Sequence, residues 1–177
     1  MPPDNRLERM IDRLVAQRDC LARAAALIAA LPGPVLEFGL GKGRTYDFLR
    51  TRLPERELLA FDREIHCPAD CVPPPGRLFL GEFRDTLPEA RARLAGTAAL
   101  AHFDVGSEDL DRDAALVAWL APAAAPLLRT GAAVVSDRPM AAPGWREIAL
   151  PEGVGDGRHH LYRVEETPGN MTGFTTS

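Results

Sequence analysis

The sequence has no run of lysines and arginines, no unbroken apolar tract long enough to cross a bilayer, and only three cysteines among 177 residues. Each shortage removes a class of function. With 21 basic against 25 acidic residues and a formal charge of -4, there is no basic stripe to hold a polyanion, so no nucleic acid is expected as the main partner. The longest apolar tracts, residues 24–31 and 114–128, are too short or broken by proline, so no membrane partner is expected either. No leader peptide is expected, because Met1-Pro2-Pro3-Asp4 runs straight into a charged segment. Cys20, Cys67 and Cys71 are odd in number and irregular in spacing, which argues against a disulfide framework and for a reducing, cytoplasmic setting. The length suits one domain, expected over residues 1–168 with 169–177 as a mobile tail, and leaves too little chain for a separate substrate domain. A small-molecule partner is the expectation that remains.

What is present is organised around Gly33-Pro34-Val35-Leu36-Glu37-Phe38-Gly39-Leu40-Gly41-Lys42-Gly43-Arg44-Thr45. Val35, Leu36 and Phe38 make a short apolar run bounded by Pro34 and Gly39, as in a central strand of a parallel sheet. Gly39 allows a sharp turn, Gly41 leaves bare main chain for a ligand, and Gly43 is expected to let the following helix pack close to the strand. That helix, from about Arg44 to Leu53, aims unpaired N–H groups and its positive dipole end at the turn. Glu37, two residues ahead of the first glycine, is expected to repel phosphate and attract an ammonium or sulfonium. A dinucleotide fingerprint would want glycine or alanine at Arg44, and a P-loop would want Ser or Thr at Gly43.

Other segments support an open α/β sheet. Leu7, Met10, Ile11, Leu14, Val15, Leu21, Ala25 and Ile28 recur at helical spacing over residues 4–31, as one amphipathic helix or two, with Asp4 a plausible N-cap. Residues 57–62 read as a second strand ending in Asp62, about twenty residues past the glycines, where such sheets place a carboxylate for ribose hydroxyls. Residues 65–77, with Pro68, Pro73, Pro74 and Pro75, leave no room for a full crossover helix. His66, Cys67 and Cys71 in that segment fit no standard zinc spacing, and no metal is expected. Leu78-Phe79-Leu80 is a third strand, followed by Gly81-Glu82-Phe83. Residues 99–106 form a fourth strand and its exit, delivering Asp104 to the same edge as Gly41 and Asp62. His102 lies on Asp104's side of that strand, as a base or, more commonly at such a position, as a satisfied buried histidine. Residues 111–129 are helical in pattern, capped by Asp109 or Asp111 and broken at Pro122 and Pro126. Residues 145–150 and 160–164 read as an antiparallel hairpin.

Glu37-x-Gly39-x-Gly41-x-Gly43 resembles the first motif of class I S-adenosylmethionine-dependent methyltransferases, and Asp62 matches their second. Gly81-Glu82-Phe83-Arg84-Asp85-Thr86-Leu87-Pro88 resembles the Gly-Asp-x-x-x-x-Leu-Pro stretch of small O-methyltransferases, with Glu82 for the aspartate. Residues 125–137 resemble their helix-to-fifth-strand passage. The resemblance implies a three-layer α/β/α sandwich, a Rossmann-like and mostly parallel seven-stranded sheet closed by a C-terminal antiparallel hairpin. It implies S-adenosyl-L-methionine as cofactor, held by residues 37–45 with Asp62 and Arg63, Gly81, Glu82 and the Phe83 backbone at adenine, and Asp104, Val105 and Gly106. The N-terminal helix would either lie over the cofactor's methionine end or simply pack.

A base for an O- or N-nucleophile is sought first in Asp104, then in Asp137 and His102. One branch of small O-methyltransferases binds a divalent metal through acids matching Asp104 and Asp137 plus an asparagine, but Arg138 occupies the asparagine position here. A nicotinamide-dependent reductase and a non-catalytic S-adenosylmethionine-binding protein are the alternatives. A homo-oligomer is expected by analogy alone.

Overall fold

The computed structural model describes residues 5–107 and 109–165. Asp4 and the tail expected over residues 169–177 lie outside them. The chain begins with one continuous helix, α1 (Arg6–Leu27), whose N-cap is Asn5: its side chain accepts the Glu8 N–H at 3.0 Å. Then come β1 (Val35–Phe38), α2 (Arg44–Arg52), β2 (Leu58–Asp62), β3 (Leu78–Leu80), α3 (Phe83–Leu94), β4 (Ala98–Phe103), α4 (Leu110–Ala124), β5 (Leu128–Ser136), β6 (Trp145–Glu147) and β7 (His160–Val164). They form one seven-stranded sheet in the order β3-β2-β1-β4-β5-β7-β6. The first five strands run parallel; β7 is antiparallel to both β5 and β6.

Burial explains why the central strands are apolar throughout. Every residue of β1 and β4 is buried, because helices cover both faces of the sheet. On the face that meets α3 and α4, four phenylalanines from neighbouring strands, Phe79, Phe61, Phe38 and Phe103, stack with ring centroids 4.4 to 4.6 Å apart. Each pair adds about 0.5–1.5 kcal/mol beyond burial alone. The ladder lies at the carboxyl ends of β1 and β4 and one residue short of them in β2 and β3, so it is a stiff floor beneath the loops that follow. On the other face Leu21 and Ala24 of α1, its C-cap Ile28, and Leu49 of α2 pack on Val35, Leu58, Leu100 and Val135.

One expectation about the helices changes, one holds, and one helix is new. Pro122 does not break α4, which runs through it to Ala124; Leu120, Ala121 and Ala124 are buried there, and that burial outweighs one lost ladder bond. Pro126 falls in a 3-10 turn, residues Ala125–Leu127, at a position with no N–H obligation. The stretch after Gly81, read only as a motif, forms α3 with Pro88 inside it, held by buried Leu87, Ala90 and Leu94. Between β2 and β3 the only helical element is the 3-10 turn Ala69–Cys71, as the prolines required. Asp109 is the cap of α4, accepting the Arg112 N–H at 3.0 Å.

The first half of α1 stands clear of the core: Leu7 is 69% exposed and Ile11 48%. Burial begins only at Ala16 and Gln17.

Candidate functional site

Strand register gathers the site. Phe38 is paired with both Phe61 and Phe103, and Phe103 with Ser136, so the next residues, Gly39, Asp62, Asp104 and Asp137, leave the sheet side by side. Antiparallel pairing of Ser136 with His160 brings His159 opposite Asp137. Sequence reasoning had no means to place His159 here, since that needs the register of β7.

The glycine turn is shaped by two different demands. A Cβ on Gly39 would stand 2.2 Å from the Asp104 carbonyl oxygen, so close approach of two backbones requires glycine. Around Gly41, φ +49°, a Cβ would meet nothing within 4 Å, leaving bare main chain facing open space. The Gly41 N–H donates to Asp62 Oδ2 at 2.9 Å, tying turn and second-strand acid together, and Asp62 Oδ1 accepts the Glu64 N–H at 3.3 Å. Gly43 differs from expectation. Its close neighbours are Cys71 and Cys67, whose Cβ atoms would lie 2.7 and 3.0 Å from an added Cβ; it makes room for the loop after β2 rather than for helix on strand. Lys42 and Arg44 are exposed and Leu40 is buried.

Glu37 is not at the mouth of the turn. Its side chain is wholly buried on the α1–α2 face, accepting the Thr45 hydroxyl on Oε1 and facing His102 Nδ1 from Oε2 at 2.8 Å. Burial alone would lower the His102 pKa, but the Glu37 charge and hydrogen bond prevail and hold the ring above the ordinary histidine range. Beyond His102 the buried Gln17 lies 3.4 Å from Nε2 and donates to Asp104 Oδ2 at 3.0 Å. Arg13 donates to Asp104 Oδ1 at 2.9 Å. A continuous polar chain, Thr45–Glu37–His102–Gln17–Asp104–Arg13, thus joins the glycine turn to α1. Gln17 was missed in the sequence, although a polar residue four before Leu21 and seven before Ala24, both buried, was the available signal.

The candidate bases are separated by their partners. Asp104 has both carboxylate oxygens engaged. Asp137 accepts the Gly106 N–H on Oδ2 at 3.1 Å, while its Oδ1 is buried without a partner among the described residues. Burial, then the charge of Asp104, raises the Asp137 pKa against the opposing pull of Arg138. His159 is buried with both ring nitrogens unpartnered among the described residues, and burial lowers its pKa to about 4, so it is neutral at physiological pH.

At the β3 end, Gly81 leads into Glu82, exposed and 3.7 Å from Arg63, while the Phe83 ring turns inward against Phe38 with centroids 5.8 Å apart. That leaves the Phe83 backbone, not its ring, at the surface edge. Val105 packs on the core, and Gly106 admits Asp137: a Cβ there would stand 2.2 Å from Asp137 Oδ2. Beside Gly106 and Asp137 a cleft of about 780 Å³ opens between the exposed half of α1, the exits of β4 and β5, and the loop before β7. Among the described residues no cluster of three or more His, Cys, Asp or Glu could hold a metal, and no helix is long and apolar enough to cross a membrane.

Residues 4–164 match a family described as S-adenosyl-L-methionine methyltransferase. A crystal structure of an S-adenosyl-L-methionine methyl transferase from Silicibacter pomeroyi DSS-3 is 40% identical with TM-score 0.86, covering 91% of this chain and 99% of that one. A 16S rRNA (adenine(1408)-N(1))-methyltransferase mutant with cosubstrate SAM, from Catenulisporales acidiphilia, is 14% identical with TM-score 0.48, covering 82% and 91%; a likeness that remote says nothing of this chain's acceptor. None of the curated proteins matches the chain.

Proposed function

Because the chain belongs to the S-adenosyl-L-methionine methyltransferase family, we propose that it methylates an oxygen or nitrogen nucleophile of a small molecule lodged in the cleft beside Asp137. The observation that carries this reading is the cleft itself, a concave space of small-molecule size that opens at Gly106, where the expected cofactor contacts end. Family membership removes the nicotinamide-reductase alternative. The residues fit the cofactor: open space at Gly41, a carboxylate at Asp62 and the uncapped N–H groups at the start of α2 form a cradle on one side of Asp104.

In this reading Asp62 holds the ribose hydroxyls, the Gly81–Phe83 backbone and Glu82 border the adenine, and the Gly39–Gly43 turn carries the amino-acid end. When bound, the cofactor supplies a methyl group on a sulfonium that is already electrophilic. The chain's part is alignment: the phenylalanine ladder fixes the strand ends, and Asp104, clamped by Gln17 and Arg13, fixes the wall between cofactor and cleft. Asp137 replaces Asp104 as first candidate for the base, because, of these two, Asp137 has the carboxylate oxygen without a partner among the described residues and has a raised proton affinity. The buried Glu37–His102 pair holds that wall from behind rather than touching the acceptor.

The test is turnover with methyl-labelled S-adenosyl-L-methionine against a panel of small hydroxy and amino compounds and against total RNA. Acceptor-dependent S-adenosylhomocysteine formation with a small compound, lost in Asp137→Asn while product affinity is kept, supports the reading. Label appearing only in RNA, or tight cofactor binding with no turnover on any acceptor, contradicts it.

A further inference from the structure

The cleft beside Asp137 has an unusual lining for a chain whose net charge is negative. Of the ten described residues that border it, five are arginines and one is an acid. Arg6, Arg9 and Arg13 stand three and four residues apart on one face of α1, and Arg138 and Arg158 face them from the β5 exit and the loop before β7. Arg9 has a partner of its own, and existing partners use up only part of the charge of the other four. Arg13 binds Asp104; Arg138 donates to Asp113 Oδ2 at 2.8 Å and to the Ser107 carbonyl at 3.0 Å; Arg158 has Asp12 no nearer than 4.0 Å. The Arg138 Nε, moreover, is buried and unpartnered among the described residues.

Resting on the methyltransferase reading, we infer that the acceptor carries an anionic group, a carboxylate or phosphate, clasped by Arg6 and Arg158 at the mouth of the cleft, with its nucleophile directed to Asp137. Guanidinium groups present a planar fork of donors that matches these two anions and gives up hydration more readily than an ammonium does. Their gathering from three separate elements onto one cavity makes a binding wall. The walls are separated by function as well: positive charge at the α1 rim anchors, and the carboxylate with its unpartnered oxygen lies on the floor near Gly106. The acceptor is therefore bifunctional, with an anion at one end and a hydroxyl or amine at the other. A nucleic acid fits less well. The arginines sit inside a concavity rather than along a track, and among the described residues the lining has no aromatic side chain on which a base could stack.

The experiment is calorimetric titration at low and moderate salt, with S-adenosylhomocysteine present, using inorganic phosphate, succinate and a short single-stranded RNA as probes. The proteins are wild type, the double variant Arg6→Gln/Arg158→Gln, and Arg146→Gln as a control remote from the cleft. Expected is saturable binding of at least one dianion that weakens about tenfold or more in the double variant, falls with salt, and is unchanged in the control. Preference between phosphate and succinate assigns the anion. Dianion binding that is absent, or equal in the double variant and wild type, overturns the inference. RNA binding tighter than either dianion and lost in the double variant overturns it in favour of a nucleic-acid surface. S-adenosylhomocysteine affinity is read on the same samples: retained in the double variant, it shows an intact fold, and its absence from wild type would sink the methyltransferase reading while leaving the anion site standing.

Discussion

Removing Glu37 should cost more than removing any other acid of the site, although it lies deepest in the protein and touches no substrate. In Glu37→Ala the Thr45 hydroxyl and His102 Nδ1 lose their partner in a region where all of β1 and β4 is buried. Breaking a buried charge pair costs about 3–5 kcal/mol; here the lower end applies, because burial lets the abandoned imidazole shed its proton. For a domain of this size about 3 kcal/mol corresponds to a melting-point loss of roughly 6–12 °C. Glu37→Gln keeps the shape but has one acceptor oxygen where Glu37 has two, so one of the two hydrogen bonds must reverse or lapse, and it should lose about 1–3 kcal/mol. Urea unfolding followed by the fluorescence of Trp119 and Trp145 measures both. The pH dependence adds a sign. His102 has a folded pKa above its unfolded value, so the pair's contribution is complete below about pH 6.5 and is lost as pH rises through the raised value. The stability gap between wild type and Glu37→Gln should therefore narrow from pH 6 towards pH 9. A Glu37→Ala loss under about 1 kcal/mol, or a gap that widens with pH, would refute the pairing argument.

Three further outcomes follow from the geometry. Gly39→Ala should abolish soluble, folded protein, since its Cβ would stand 2.2 Å from the Asp104 carbonyl, whereas Gly41→Ala should melt within about 1–2 kcal/mol of wild type yet bind S-adenosylhomocysteine much more weakly. Differential scanning fluorimetry and calorimetry separate the two effects. Asp137→Asn should lower kcat by about a hundredfold or more with little change in cofactor affinity. In wild type the acid limb of the kcat profile should fall above the ordinary aspartate range, because the Asp137 carboxyl must be ionised and its pKa is raised. His159, with a folded pKa of about 4, keeps its ring neutral while the unfolded chain takes up protons, so stability should drop by roughly 2 kcal/mol between pH 7.5 and 5; His159→Phe should remove most of that drop in acid unfolding experiments.

The parts of the fold written in local pattern were legible. Val35-Leu36-Glu37-Phe38 before three spaced glycines announced β1 and its turn, and Asp62 could be placed from chain distance alone, because an open sheet fixes how far the second strand lies from the first. The proline-rich segment 65–77 correctly excluded a crossover helix. Pro122 misled because propensity is a local cost, while the burial of Leu120 and Ala121 that outweighs it is a tertiary gain. The site divided along the same line. That Glu37 precedes the turn is readable; that it turns inward to His102, 65 residues away, is not. Gln17 and Asp104, Gly43 and the two cysteines beside it, and the arginine wall assembled from α1 and the β7 loop all depend on which elements the sheet brings together.

The most direct test of the central claim is a crystal structure with S-adenosylhomocysteine bound. Expected are the ribose hydroxyls on Asp62, the adenine edge beside Glu82 and the Phe83 backbone, the amino-acid end along Gly39 to Gly43, and the sulfur facing the cleft past Asp104 towards Asp137. A ligand seated in the arginine-lined cleft with the Gly41 turn vacant, or an adenosine bound away from Asp62, would contradict it.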